Sequence, residues 1–219
     1  MQVKMCNKMK TYALLMVFAV GMLFAKTENV YAAKEVASGQ CGDTAYWSLD
    51  DAGVMTISGS GRMWDMNKQF ENYHENPWKE YKDDIKSVIF ENGITKIGAS
   101  AFEKCGNLKK VLFCNTITYI EYRAFAKCVN LGNFVLPDSL VRLKNYAFDE
   151  CISITSVEIP DRIQFLDACT FDNCTSLKYA YIGGGGAPEG AMFIIGGGVF
   201  RNCISLEKIE VSEDSQGWK

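Results

Sequence analysis

Cysteine and histidine are the side chains most able to act as nucleophiles, bases or metal ligands. The 219-residue chain holds nine cysteines and a single histidine, His74. Nucleophilic catalysis needs a positioned nucleophile, a base and an orienting acid. No Gly-x-Ser-x-Gly frame or comparable arrangement accompanies His74, whose setting Tyr73-His74-Glu75-Asn76-Pro77-Trp78 reads as a surface loop. The acidic pairs Asp50/Asp51, Asp83/Asp84 and Glu213/Asp214 fall in turns or solvated segments, with nothing to set two carboxylates across a cleft. No Cys-x-x-Cys is present, so neither a zinc site nor any other metal is expected. The glycine-rich stretch 183–198 lacks the Lys-Ser/Thr ending of a phosphate loop. No catalytic residue and no cofactor is predicted, and the chain reads as a non-enzyme.

The cysteines carry a different message. Five of them close the segments Ala101-Phe102-x-x-Cys105, Ala124-Phe125-x-x-Cys128, Ala147-Phe148-x-x-Cys151, Thr170-Phe171-x-x-Cys174 and Val199-Phe200-x-x-Cys203, at intervals of 23, 23, 23 and 29 residues. Leu108, Leu131, Ile154, Leu177 and Leu206 follow each cysteine by three. Then come the alternating pairs Val111/Phe113, Phe134/Leu136, Val157/Ile159, Ala180/Ile182 and Ile209/Val211. An earlier unit, Ile85, Val88, Phe90, Ile94 and Ile97, keeps the phase without the Phe-Cys element. So many matches in one register define a solenoid. In each coil the alternating stretch is a short strand with one buried face. The pairs Ile117/Ile120 and Leu140/Leu143 form a second inward edge, and Ala-Phe-x-x-Cys makes one helical or 3₁₀ turn. Adjacent strands are expected to join a continuous parallel sheet. Cysteine at one equivalent site per coil behaves as a small buried apolar residue. Disulfides between neighbouring coils remain open wherever Cα atoms approach within about 7 Å, and Cys169 and Cys174 make a local pair.

Residues 1–32 read as a signal peptide: Lys4, Lys8 and Lys10 precede the apolar run 11–25, and Val30-Tyr31-Ala32 suits cleavage. Fifteen apolar residues are short for a membrane span, so no membrane insertion is expected after cleavage. Of 23 basic and 26 acidic residues, the leader takes four lysines and one glutamate, leaving 19 against 25 and a net charge of −6. That balance excludes nucleic acid as a partner and leaves extracellular proteins or glycans. Trp47 and Leu49 alternate into Asp50-Asp51-Ala52-Gly53, and Met55 and Ile57 alternate out, which is a hairpin. It caps the solenoid's N-terminal end. Three regions result: the leader, a β cap with connector at 33–84, and the solenoid at 85–219. The six-residue excess falls in the insertion 183–198.

The pattern A-F-x-x-C-x-x-L-x-x-[VIF]-x-[LIF]-P over residues 85–211 resembles the BspA-like leucine-rich repeats of secreted and surface bacterial proteins. Cys41 to Gly61 and Pro77-Trp78 resemble the module that often precedes such repeats. The resemblance implies a leucine-rich-repeat solenoid, a secreted or cell-surface location, and adhesion. The positions left outward on the strands are the candidate ligand-binding residues: Ile89, Lys110, Leu112, Asn133, Val135, Glu158, Tyr179, Tyr181 and Glu210. The alternative role is a structural spacer within a longer surface protein, since the sequence stops at Lys219 with no recognisable C-terminal cap.

Overall fold

The computed structural model describes residues 33–183 and 193–212. The leader, most of the glycine-rich insertion and the pair Glu213/Asp214 lie outside them. The strands are β1 (Glu35–Gln40), β2 (Ala45–Asp50), β3 (Val54–Gly59), β4 (Gly61–Arg62), β5 (Ser87–Phe90), β6 (Ile94–Ile97) and β7 (Lys110–Leu112). They continue with β8 (Tyr119–Ile120), β9 (Arg142–Leu143), β10 (Ser156–Ile159), β11 (Phe165–Leu166), β12 (Tyr179–Ile182), β13 (Ile194–Ile195) and β14 (Lys208–Val211). This is a leucine-rich-repeat solenoid.

The cap is the hairpin the sequence predicts, with an added strand. β1, β2 and β3 pair antiparallel. Trp47, Leu49, Met55 and Ile57 point into the core. Gly53 turns at φ 84°, where a Cβ would lie 2.5 Å from the Asp84 carbonyl, so glycine is required there. β3 then pairs in parallel with β5, and the cap sheet runs straight into the first coil.

Three inter-coil ladders hold the solenoid. The first is the strand face, and it is broken: β1-β2-β3-β5-β7 form one sheet and β10-β12-β14 another. The continuous sheet expected from the repeat is therefore corrected. The third coil, residues 131–136, contributes no strand; its link backward is Gly132 N–H donating to the Lys109 carbonyl at 3.1 Å. The second ladder is an unbroken sheet, β13-β11-β9-β8-β6-β4, built on the inward edge where Ile117, Ile120, Leu140 and Leu143 are fully buried. β13 resumes it after the insertion.

The third ladder runs through the Phe-Cys turns. The N–H groups of Cys105, Cys128, Cys151 and Cys203 donate to the phenylalanine carbonyl of their own turn, as in Cys128 to Phe125 at 3.2 Å, which is the i→i+3 bond of a 3₁₀ turn. Propagation into a helix stops because Lys104, Lys127, Glu150, Asn173 and Asn202 are left-handed, with φ between 55° and 65°. In the first four that conformation directs the N–H to the next coil, as in Lys127 to the Asp149 carbonyl at 2.7 Å. The phenylalanines stack behind these turns. Trp78, Phe102, Phe125, Phe148, Phe171 and Phe200 form one column with ring centroids 5.2–5.8 Å apart. The connector residue Trp78 thus starts the column. Its indole N–H donates to the Ala101 carbonyl at 2.9 Å.

The described cysteines are free and buried. In the column, the four thiols after Cys105 each donate to the phenylalanine carbonyl of the preceding coil: Cys128 to Phe102, Cys151 to Phe125 and Cys174 to Phe148 at 3.2 Å, and Cys203 to Phe171 at 3.1 Å. Cys169 belongs to a different column, two residues before Phe171, and faces the Gly197 carbonyl. It makes no pair with Cys174. The terminal coil departs from the expected burial: Ile209 is 47% exposed because no described coil covers it.

Candidate recognition surface

The sequence-predicted site residues do share one face, in two groups. Before the break, Val54, Ser87 and Lys110 align in register, and beside them Thr56, Ile89 and Leu112. After it, Ser156, Tyr179 and Lys208 align, with Glu158, Tyr181 and Glu210 alongside. Strand pleating sends these side chains outward, opposite the buried Val88, Val111, Val157 and Ala180. Asn133 and Val135 occupy the gap.

Asn133 explains the gap chemically. Its side-chain oxygen accepts the backbone N–H of Thr155 (2.8 Å) and of Ser156 (3.2 Å), and its amide nitrogen donates to both hydroxyls. Elsewhere that N–H meets a backbone carbonyl of the preceding coil, as Lys178 meets Thr155 at 2.9 Å. The Asn133 side chain therefore takes the ladder bond that the Gly132 carbonyl would otherwise accept. The strand peels away at this coil, leaving Val135 77% exposed next to Leu112 at 45%. Large apolar side chains displayed together on a face, with Lys110 beside them, are what a partner can desolvate.

The far group is more closed than a free surface. Tyr179, Tyr181 and Glu210 are half-buried, as is Ile89 at the near end, which corrects the expectation that all nine residues stand outward and free. The Tyr179 hydroxyl donates to Glu210 at 2.6 Å, and Lys208 pairs with the same carboxylate. Partial burial and the acidic partner push the Tyr179 hydroxyl well above its usual range, while the Lys208 and Tyr179 contacts hold Glu210 below its own. This end is a pre-paired polar cluster; the open apolar end lies around the break.

The chemistry-bearing residues stay apart. His74 is exposed and stacked flat on Trp64, with centroids 4.3 Å apart. Among the described residues, no group of three or more His, Cys, Asp or Glu could hold a metal ion, and no helix is long and apolar enough to cross a membrane. Burial pushes the Cys41 and Cys105 thiols up to about 12. A thiol held that high supplies almost no thiolate near neutral pH, so these two are inert to exchange.

Two features escaped sequence reading: the Asn133 substitution, and an aromatic ridge on the turn side. Phe70 meets Tyr122, and Tyr122 meets Tyr146, at 6.2 and 6.1 Å with interplanar angles of 70° and 83°. Tyr122 and Tyr146 are 24 residues apart, one more than the repeat, so they do not share an equivalent position and periodicity does not flag them.

The architecture defines a class, a repeat solenoid with an open strand face. Residues 79–207 match the BspA type leucine rich repeat region in six copies, and the chain belongs to that family. The unit lacking the Phe-Cys element adds a copy to the five Phe-Cys coils. A leucine-rich repeat protein from Eubacterium ventriosum is 26% identical, with a TM-score of 0.53 over 66% of this chain and 43% of that one. One from Bacteroides ovatus is 16% identical, with a TM-score of 0.57 over 82% of this chain and 46% of that one. The pneumococcal vaccine antigen PcpA is 18% identical, with a TM-score of 0.52 over 77% of this chain and 36% of that one. The chain therefore spans less than half the length of each of these three structures. No curated protein matches it.

Proposed function

We propose that the protein is a secreted or cell-surface recognition module that acts without catalysis, adhering to an extracellular protein or glycan through its strand face. The observation carrying this reading is the apolar patch at the sheet break, Leu112 and Val135, bordered by Lys110 and Asn133. The leader-like segment, the acidic balance and the family support an extracellular setting, in which one relative of the same fold is described as a vaccine antigen. Glu158, Tyr179, Tyr181 and Glu210 supply a polar extension of the surface.

The test is binding of the full chain to immobilised extracellular-matrix proteins and glycans, with Leu112→Ala/Val135→Ala as the folded control. Saturable binding that the double variant loses supports the reading. A folded chain that binds nothing on the panel contradicts it and favours a structural spacer. The spacer reading draws on the chain's limited coverage of its longer structural relatives.

A further inference from the structure

We infer that Cys174 and Cys203 are a redox pair, and that oxidation joins them in a disulfide that staples the last described coil to the one before it. The structure holds both as free thiols. They occupy equivalent positions in adjacent coils. Phe171 and Phe200, three residues before each, stack at 5.8 Å, and Tyr179 and Lys208, five residues after each, pair in parallel register. Asn173 and Asn202, which immediately precede them, are bonded side chain to side chain at 2.9 Å, and Asn173 N–H donates to the Arg201 carbonyl at 2.9 Å. Neighbouring strands stand about 4.8 Å apart, inside the roughly 4.4 to 6.8 Å of Cα separation that a disulfide spans.

Every step of the column shares that spacing, and three features single out this one. The first is contact: the Cys174 and Cys203 thiols are hydrogen-bonded to each other. The Cys174 S–H has two acceptors in reach, the Cys203 sulfur and the Phe148 carbonyl at 3.2 Å. Facing that donor, Cys203 ionises below its usual range, while the same bond holds Cys174 above its own. The second is access. Cys203 is 8% exposed, whereas Cys105, Cys128, Cys151 and Cys174 are fully buried, so a reagent reaches the column at its last member. The third is the loop. Twenty-nine residues separate this pair, against 23 at each other step, because the insertion 183–198 lies between them. Cross-linking across the longest loop removes the most entropy from the unfolded chain.

The chemistry balances with a small-molecule disulfide, such as glutathione disulfide, as the oxidant. The Cys203 thiolate attacks one of its sulfurs, forming a mixed disulfide and releasing one glutathione thiolate, which takes up the Cys203 proton. Cys174 then loses its proton, attacks the Cys203 sulfur and releases the second glutathione. Two protein thiols are oxidised, and one disulfide is reduced to two thiols. The secreted or cell-surface reading supplies the oxidising compartment in which such a bond persists. The staple falls on the coil that is least covered among the described residues, where Ile204 and Ile209 stand exposed.

The test incubates the folded full chain with glutathione disulfide at pH 8. The reaction is quenched in acid, and the denatured chain is alkylated and mapped by peptide mass. Cys174 and Cys203 should lose their alkylation together and appear in one cross-linked peptide, while Cys105, Cys128 and Cys151 stay alkylated. Cys203→Ser should abolish the cross-link and leave Cys174 alkylated; lying in the last described coil, it serves should Cys174→Ser melt early. The oxidised chain should melt at a higher temperature than the reduced one, and Cys203→Ser should erase the difference. A folded chain in which both thiols stay alkylated overturns the inference. So does a glutathione adduct on Cys203 that never resolves, a link between Cys169 and Cys174, or a cross-link with no rise in melting temperature. Thiol mapping reads nothing of ligand binding, so its outcome is independent of the strand-face test.

Discussion

The Phe-Cys turn column and the strand face are built from the same repeat, yet one is uniform and the other is interrupted. In the column every coil offers the same groups: a ring to stack, a carbonyl to accept, a thiol to donate. A conserved geometry of about 5 Å per coil satisfies them all. On the strand face the bonding groups are backbone, but the side chains differ from coil to coil. One asparagine is enough to divert the ladder. Stability thus sits where the repeat is strict, and chemical variety sits where it is not. The variable face is the one available for recognition.

The sharpest way to break this contrast is to remove a ring from the column. Phe148→Ala should cost ~3 to 5 kcal/mol, because the ring is fully buried and stacked on both sides. An urea midpoint close to wild type would mean the column is not the stabilising element.

Alkali probes two buried thiols, Cys41 in the cap and Cys105 in the column. Cys41 and Cys105 titrate near 12 when folded, against about 9 when unfolded. Their contribution is therefore complete below about pH 9 and lost as pH rises toward 12, since only the unfolded chain releases the protons there. Above pH 9 each such thiol should lower stability by about 1.4 kcal/mol per pH unit. Denaturation midpoints at pH 8 and 10 check this, and Cys105→Ala should reduce the slope. A flat profile would place these thiols in contact with water.

At the break itself, Asn133→Ala removes the acceptor for Thr155 and Ser156 and should cost about 1 to 2 kcal/mol. A gain instead would mean that the backbone ladder closes once the side chain is gone. The smallest change sharpens the account of the turns. Lys127 is left-handed at φ 64°, a conformation asparagine already fills at 173 and 202, so Lys127→Asn should gain roughly 0.5 kcal/mol. Its exposed pairing with Glu150 offsets little of that.

Periodic features were legible in sequence because each is repeated several times: the 23-residue phase, the buried cysteines, and the inward Ile and Leu pairs; the cap hairpin was legible from its local alternation around Gly53. Single features without a local pattern were not. Asn133 is chemically like the other outward polar residues, and only its distance to the next coil's N–H groups shows that it competes with backbone. The half-burial of Tyr179 goes with its hydroxyl reaching Glu210 on the next strand, a contact that spacing does not encode. Ile209 has the register of a core residue but lacks a described coil above it. Trp78 takes the place of a phenylalanine at the start of the column, although Pro77-Trp78 shares no Phe-Cys signature.

Amide hydrogen exchange on the native chain tests the central contrast most directly. The account predicts that the amides of 133–136 exchange well before those of β7 and β10, while Phe125, Lys127 and Phe148, bonded to the next coil at 2.7–2.8 Å, are among the last. Uniform protection along the strand face, with no fast segment at the third coil, would contradict it.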